Sequence, residues 1–262
     1  MKKPIKVMIG VDFEGASGVV VFDEIYAGHV HFDRNCKELT YEVNAAIEGA
    51  MEAGATEFIV RDGHGGNINV DPTILNPVAD LGRGRKPMCA ETMVYGIDES
   101  YDALMFIGAH AKACDPRGVL SHTMGLNVLD LTINGVSLSE QAYNGLWAAQ
   151  FGVPVVLVSG DDVTCTASKE EFGENVETAE TKVAICRTAA YNHSPNRVYD
   201  TIKKAAYNAI KNLDKMKPYD KIIGPKYDMV LKLKGDNEGN VVTVEYSSTN
   251  LLDLLTKFWS YI

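Results

Sequence analysis

The sequence predicts an α/β fold: a mostly parallel sheet flanked by helices, with a β-hairpin insertion and a smaller C-terminal α+β lobe. Three observations carry that expectation. Short apolar runs over residues 5–9, 58–60 and 103–107 have the length and bulk of buried strands. A helical pattern separates the first two runs, and strand, helix and strand in succession make neighbouring strands parallel. Asn134-Gly135, set between alternating residues, is a two-residue hairpin signal.

In chain order, the first strand runs into Gly10-Val11-Asp12-Phe13-Glu14-Gly15. Residues i and i+2 of extended chain share a face, so Asp12 and Glu14 present two carboxylates together. Such like charges repel unless a cation compensates. Residues 26–35 read as loop. Leu39, Val43, Ala46, Ile47 and Ala50 then recur at helical spacing until Gly54 closes the helix. The second strand ends in Asp62-Gly63-His64-Gly65-Gly66-Asn67, and the strand at 103–107 ends in Gly108-Ala109-His110-Ala111. Between them a short helix is expected over 72–81 and a strand over 88–90. Glu140 opens a helix three residues after Ser137, the spacing of a capping box. A buried strand over 153–158 leads into Ser159-Gly160-Asp161-Asp162.

Composition turns charged near Ala167, so the expected division is an α/β domain over 1–166 and a smaller α+β lobe over 167–262. The lobe begins with a charged stretch to Lys182 and a strand over 183–186. Ser194-Pro195 then starts a helix ending near Leu213. Antiparallel strands over 229–234 and 241–246 flank a turn at 236–240, and a last helix starts near Ser248.

Composition excludes some functions. A net charge of −10 disfavours nucleic acid and anionic membranes, which reward basic patches. Cys36, Cys89, Cys114, Cys165 and Cys186 are scattered and odd in number, as expected of free thiols in a reducing cytoplasm. With no signal-like start and no apolar run of 18 residues, the expected location is cytoplasmic.

The informative fact is positional. Asp12 and Glu14, His64, His110, and Asp161-Asp162 each follow the carboxyl end of an expected strand, where open parallel sheets bind ligands. Glycines 10, 63, 65 and 108 permit close approach there. Asp, Glu and His are ligands for zinc or manganese, and two metals sharing a carboxylate need about five or six such groups. Asp161 and Asp162 suit either helix capping or support of a ligand. His122 has no evident structural task, whereas His29, His31 and His193 read as surface or capping residues. These residues leave other readings open: a metal-free binding protein for small peptides or amines, or a two-metal hydrolase of a phosphoester or cyclic amide.

Six ordered motifs add a resemblance. Val11-Asp12-Phe13-Glu14-Gly15, Asp62-Gly63-His64-Gly65, Phe106-Ile107-Gly108-Ala109-His110-Ala111, Ser121-His122-Thr123, Asn134-Gly135 with Glu140, and Val158-Ser159-Gly160-Asp161-Asp162 resemble the zinc D-aminopeptidases of dipeptide-transport operons. The resemblance implies an aminopeptidase with two Zn2+ per subunit, Mn2+ or Co2+ as substitutes, and short peptides as substrates. It implies Asp12, Glu14, His64, His110 and Glu140 as metal ligands and His122 as the catalytic histidine. Asp62, Asn67, Asp161 and Asp162 then fall to support of the ligands or substrate binding. A homodecamer of stacked pentameric rings is implied as well. Ala109, where the family usually has Tyr, and Thr164-Cys165-Thr166, in place of acidic residues, depart from the pattern.

Overall fold

A computed structural model describes residues 4–85, 92–236 and 239–262. Its centre is a seven-stranded sheet whose order is β3-β2-β1-β4-β7-β8-β9. The strands are β1 (Ile5–Val11), β2 (Ala55–Asp62), β3 (Ala79–Gly82), β4 (Ala103–Ala109), β7 (Val155–Asp161), β8 (Glu177–Cys186) and β9 (Ala189–Asn192). All neighbours pair in parallel except β8 with β9. From β1 the order grows one way through β2 and β3 and the other way through β4 and β7. The switch point, where such sheets bind ligands, lies between β1 and β4.

α1 (Phe32–Ala53) and α4 (Pro195–Lys211) pack on one face of this sheet, against Val7, Ile9, Val60 and Met105. Burying one such aliphatic side chain stabilises the fold by roughly 1.5–3 kcal/mol. Gly54, at φ +112°, ends α1 with its N–H on the Ala50 and Met51 carbonyls, as expected. Met8, Leu104, Phe106 and Val158 fill the other face. Among the described residues no helix is long and apolar enough to cross a membrane.

A second, antiparallel sheet has the order β11-β10-β5-β6, from β5 (Val128–Ile133), β6 (Val136–Ser137), β10 (Tyr227–Lys234) and β11 (Val241–Ser248). Asn134 and Gly135, at φ +51° and +79°, make the expected tight turn between β5 and β6. α2 (Glu140–Ala149) and α5 (Leu251–Phe258) complete its core, where the Tyr143 hydroxyl donates to the Leu255 carbonyl at 2.6 Å.

Several expectations need correction. The boundary expected at 166/167 does not follow the sheets: β8, β9 and α4 join the large sheet, and the hairpin at 128–137 pairs with β10. The charged stretch after Ala167 holds the second half of α3 (Asp162–Phe172) and most of β8, whose interior includes a buried lysine. No helix forms over 72–81. There the Asp71 carboxylate accepts the Thr73 N–H and Asn76 the Val78 N–H, local bonds that compete with a helix, and the segment ends in β3. α1 starts at Phe32, inside the expected loop. The strand expected over 88–90 and part of the turn at 236–240 lie outside the described residues.

Candidate metal centre

The site forms where the loop after β1 crosses the end of β4. The Asp12 N–H donates to the Ile107 carbonyl and the Gly15 N–H to the Gly108 carbonyl, both at 2.8 Å. That crossing requires glycine. A Cβ on Gly15 would lie 1.8 Å from the Ala109 carbonyl oxygen, and one on Gly108, itself at φ +76°, 2.3 Å from the Asp12 carbonyl oxygen. Asp12 and Glu14 are thereby pressed towards His110, which leaves β4 at the next residue.

The loop also rests on a support that sequence reasoning missed. Lys182, fully buried on β8, donates from Nζ to the carbonyls of Glu14 (2.7 Å), Ala16 (2.8 Å) and Val19 (2.5 Å). The Thr181 hydroxyl donates to the Gly15 carbonyl at 2.6 Å. Buried Glu42 of α1 accepts the Ser17 N–H at 2.7 Å. Burial pulls the Lys182 ammonium down to about 8 and pushes the Glu42 carboxyl up to about 7.

Three strand ends, one helix start and the loop bearing His122 converge on a single spot. His64 Nδ1 lies 3.3 Å from Asp12 Oδ1 and 3.1 Å from Glu14 Oε2. His110 Nε2 lies 3.2 Å from both Asp12 Oδ2 and Glu140 Oε1. The His122 ring stacks on that of His110 with centroids 4.0 Å apart, and its Nε2 lies 3.7 Å from Glu14 Oε1 and 3.6 Å from Glu140 Oε1. Three overlapping sets have donor atoms close enough for one ion: Asp12-Glu14-His64, Asp12-His110-Glu140 and Glu14-His110-His122. Asp12, Glu14, His64, His110 and Glu140 are all buried, where unpaired charge is costly.

Backbone contacts set the ring orientations. His110 Nδ1 is 2.9 Å from the Ala111 carbonyl and His122 Nδ1 is 2.8 Å from that of Leu120, so each Nδ1–H donates and each Nε2 faces the carboxylates. Burial would raise the Asp12 carboxyl, but His110 and His64 beside it hold it well below its usual range. Burial would lower the two imidazoles, but Glu14 and Asp12 raise His64, and Glu140 and Asp12 raise His110, well above the usual value. Despite these short distances, Asp12 Oδ2 and His110 Nε2 have no hydrogen-bond partner, nor does His64 Nε2. Buried polar atoms are seldom left so. Carboxylates and imidazoles crowded this closely, with buried Asp12 Oδ2, His110 Nε2 and His64 Nε2 left without a hydrogen-bond partner, fit a divalent metal of zinc's preferences.

Glu140 reaches the centre differently from the capping box expected. Ser139, not Ser137, caps α2 by accepting the Ala142 N–H at 3.0 Å, which leaves Glu140 as the first helical residue. Its Oε1 accepts the Met124 N–H at 2.6 Å. Asp62 serves the chain: it accepts the N–H groups of Asn69 and Val70 and the Asn69 amide. The Asn67 amide, turned to satisfy its surroundings, donates to the Asp62 and Gly63 carbonyls. Asp161 caps α3 through Thr164 and accepts the Val119 N–H at 2.7 Å. Asp162 pairs with Arg117 at 2.7 Å and accepts the Ala184 N–H. His29 stands 3.7 Å from Asp23, His31 precedes α1 in a left-handed conformation, and His193 meets Glu180 at 2.7 Å.

A buried cluster of carboxylates and imidazoles at the switch point of a parallel sheet has the donor set of a metal-dependent hydrolase. A family model described as D-aminopeptidase matches residues 5–248. The chain is 35% identical to a D-aminopeptidase of Bacillus subtilis (strain 168) over 215 residues, 82% of this chain and 77% of the other. It is also similar to the solved structure of the Zn-dependent D-aminopeptidase DppA from Bacillus subtilis, described as a self-compartmentalizing protease. That match has a TM-score of 0.88 and 27% identity and covers 98% of this chain and 99% of the other. The chain belongs to the D-aminopeptidase family and is a metal-dependent aminopeptidase.

Proposed function

We propose that this protein holds two zinc ions per subunit and removes the N-terminal residue, D-configured, from short peptides in the cytoplasm. Asp12, Glu14, His64, His110 and Glu140 are the proposed ligands, with Mn2+ or Co2+ as substitutes. The observation that supports a pair of ions is Asp12. Its Oδ1 sits with His64 and its Oδ2 with His110, so one carboxylate belongs to two donor sets. The relative described as self-compartmentalizing supports a closed oligomer, for which we propose stacked pentamers, a homodecamer with the 1–166 region as the metal-binding catalytic domain and residues 167–262 contributing oligomer contacts and site closure.

When bound, such a pair brings the pKa of a water from 15.7 towards about 7 and polarises the scissile carbonyl. The chain does the rest. Glu14 and Glu140 hold the His122 ring edge between them, and the Leu120 carbonyl fixes the hydrogen on Nδ1. His122 Nε2 is then placed to take a proton from the attacking water and pass it to the leaving amine. Asp62 and Asn67 hold the His64 turn, and Asp161 and Asp162 hold the far wall.

Metal analysis and one substrate panel test this reading. The expected outcome is about two zinc ions per chain, a count set by the shared carboxylate. D-Ala dipeptides should be cleaved faster than L-Ala dipeptides, and a phosphomonoester left intact. Purified protein without stoichiometric metal would favour a binding module. His64→Ala protein with full metal content and full turnover would overturn the ligand assignment. Solution mass reads the ring.

A further inference from the structure

A cavity of about 390 Å³ opens beside His122. His122 lines it, and none of the carboxylates proposed as ligands does. Its walls include Phe22, Leu126 and Leu129, and two cations, Arg187 and Lys234. In a chain with net charge −10, two cations on one small pocket are out of keeping with the average surface. Among the described residues neither has a carboxylate partner: the ion pairs made by lysine and arginine use Arg117, Lys203 and Lys226. The one acid on the wall, Asp115, already accepts the N–H groups of Arg117 and Gly118 through Oδ1.

Arg187 is held in place by the chain around it. Its Nε and Nη2 both donate to the Ser121 carbonyl at 3.3 Å, next in the chain to His122. Its own carbonyl accepts the Leu120 N–H at 2.8 Å. The guanidinium lies 5.5 Å from the centroid of Phe22, whose ring meets that of His122 edge-on at 5.9 Å. Guanidinium carries five N–H donors, of which the Ser121 carbonyl engages two. The others suit a carboxylate, and apolar Phe22, Leu126 and Leu129 suit the side chain beside it.

We propose that Arg187 and Lys234 bind the C-terminal carboxylate of the peptide, making the enzyme selective for di- and tripeptides with free C-termini. The proposal rests on the aminopeptidase reading above, in which the part of the peptide beyond the scissile bond extends past His122. An extended residue spans about 3.3–3.6 Å, so a cation anchored next to His122 is reached within one or two residues of that bond.

The test measures KM and kcat of the metal-loaded enzyme for D-Ala-D-Ala, for its C-terminal amide and for a D-alanyl anilide. Wild type should prefer the acid over the amide by about tenfold, the scale of one charge-assisted contact, and through KM. In Lys234→Met and in Arg187→Met the preference should fall towards unity, and Arg187→Lys should restore part of it. Equal use of acid and amide by wild type, or a preference that survives both substitutions, overturns the proposal. Anilide cleavage without any acid preference refutes carboxylate binding alone. Failure to cleave all three refutes the aminopeptidase reading, and this proposal with it.

Discussion

Two stretches of the same sheet rim carry the same kinds of residue to opposite ends. At β1, β2 and β4 the rim holds Asp12, His64 and His110; at β7 and β8 it holds Asp161, Asp162 and Lys182. In the second stretch the polar atoms are taken up by the chain: Asp161 by Thr164 and Val119, Asp162 by Arg117 and Ala184, Lys182 by three carbonyls. In the first, Asp12 Oδ2 and His110 Nε2 lie 3.2 Å apart and both remain without a hydrogen-bond partner. A strand-end position places a group at the rim, but only where its buried polar atoms lack a partner in the chain is there a reason to propose it as a ligand.

Substitutions on the two sides should separate sharply. Asp12→Asn is expected to lower kcat/KM by roughly 10³-fold or more, beyond the loss of a single charge-stabilising donor, and to cut bound metal. Circular dichroism should show the fold kept; unchanged metal content would erase the contrast. Lys182→Met strands three buried carbonyls and should cost about 3–5 kcal/mol, a melting temperature lower by about 10 °C. A shift under about 2 °C would mean that the loop supports itself.

Glu42 sharpens the comparison through pH. Burial holds its carboxyl up to about 7 against a usual 4.5, so the folded protein keeps a proton that the unfolded chain has lost. Its stabilising contribution is full below 4.5 and fades as pH rises to about 7. Urea unfolding across that range should show wild type losing stability relative to Glu42→Gln; a constant difference would refute the raised carboxyl. The smallest effect belongs to Asp161→Asn, a weakened cap worth about 1 kcal/mol, read as a small drop in melting temperature with metal content intact.

Much of the large sheet was legible because its central strands are apolar runs, and each site residue on β1, β2 and β4 directly follows one. β8 was only half legible. Thr181 and Lys182 face the interior, and a lysine reads as solvent-facing unless its three acceptors are known. Those acceptors lie 163 to 168 residues earlier, beyond any local pattern. Local competition hid other features: the start of α1 carries Asp33, Arg34 and Lys37, and two serines two residues apart made the cap of α2 ambiguous. The resemblance supplied Glu140 and His122, which no strand end announces. Arg187 and Lys234 had no signal, since they become neighbours of His122 only when β8, β10 and residues 113–129 come together.

The lysine that links β8 to the Glu14 loop also bears on how the protein matures. All five proposed ligands are synthesised by residue 140, yet the floor beneath the first of them arrives only with residue 182. A nascent chain that has emerged no further than α2 therefore owns every donor and lacks the clamp that sets two of them. The loop that carries Glu14 therefore gains its full set of hydrogen bonds only when the sixth parallel strand docks.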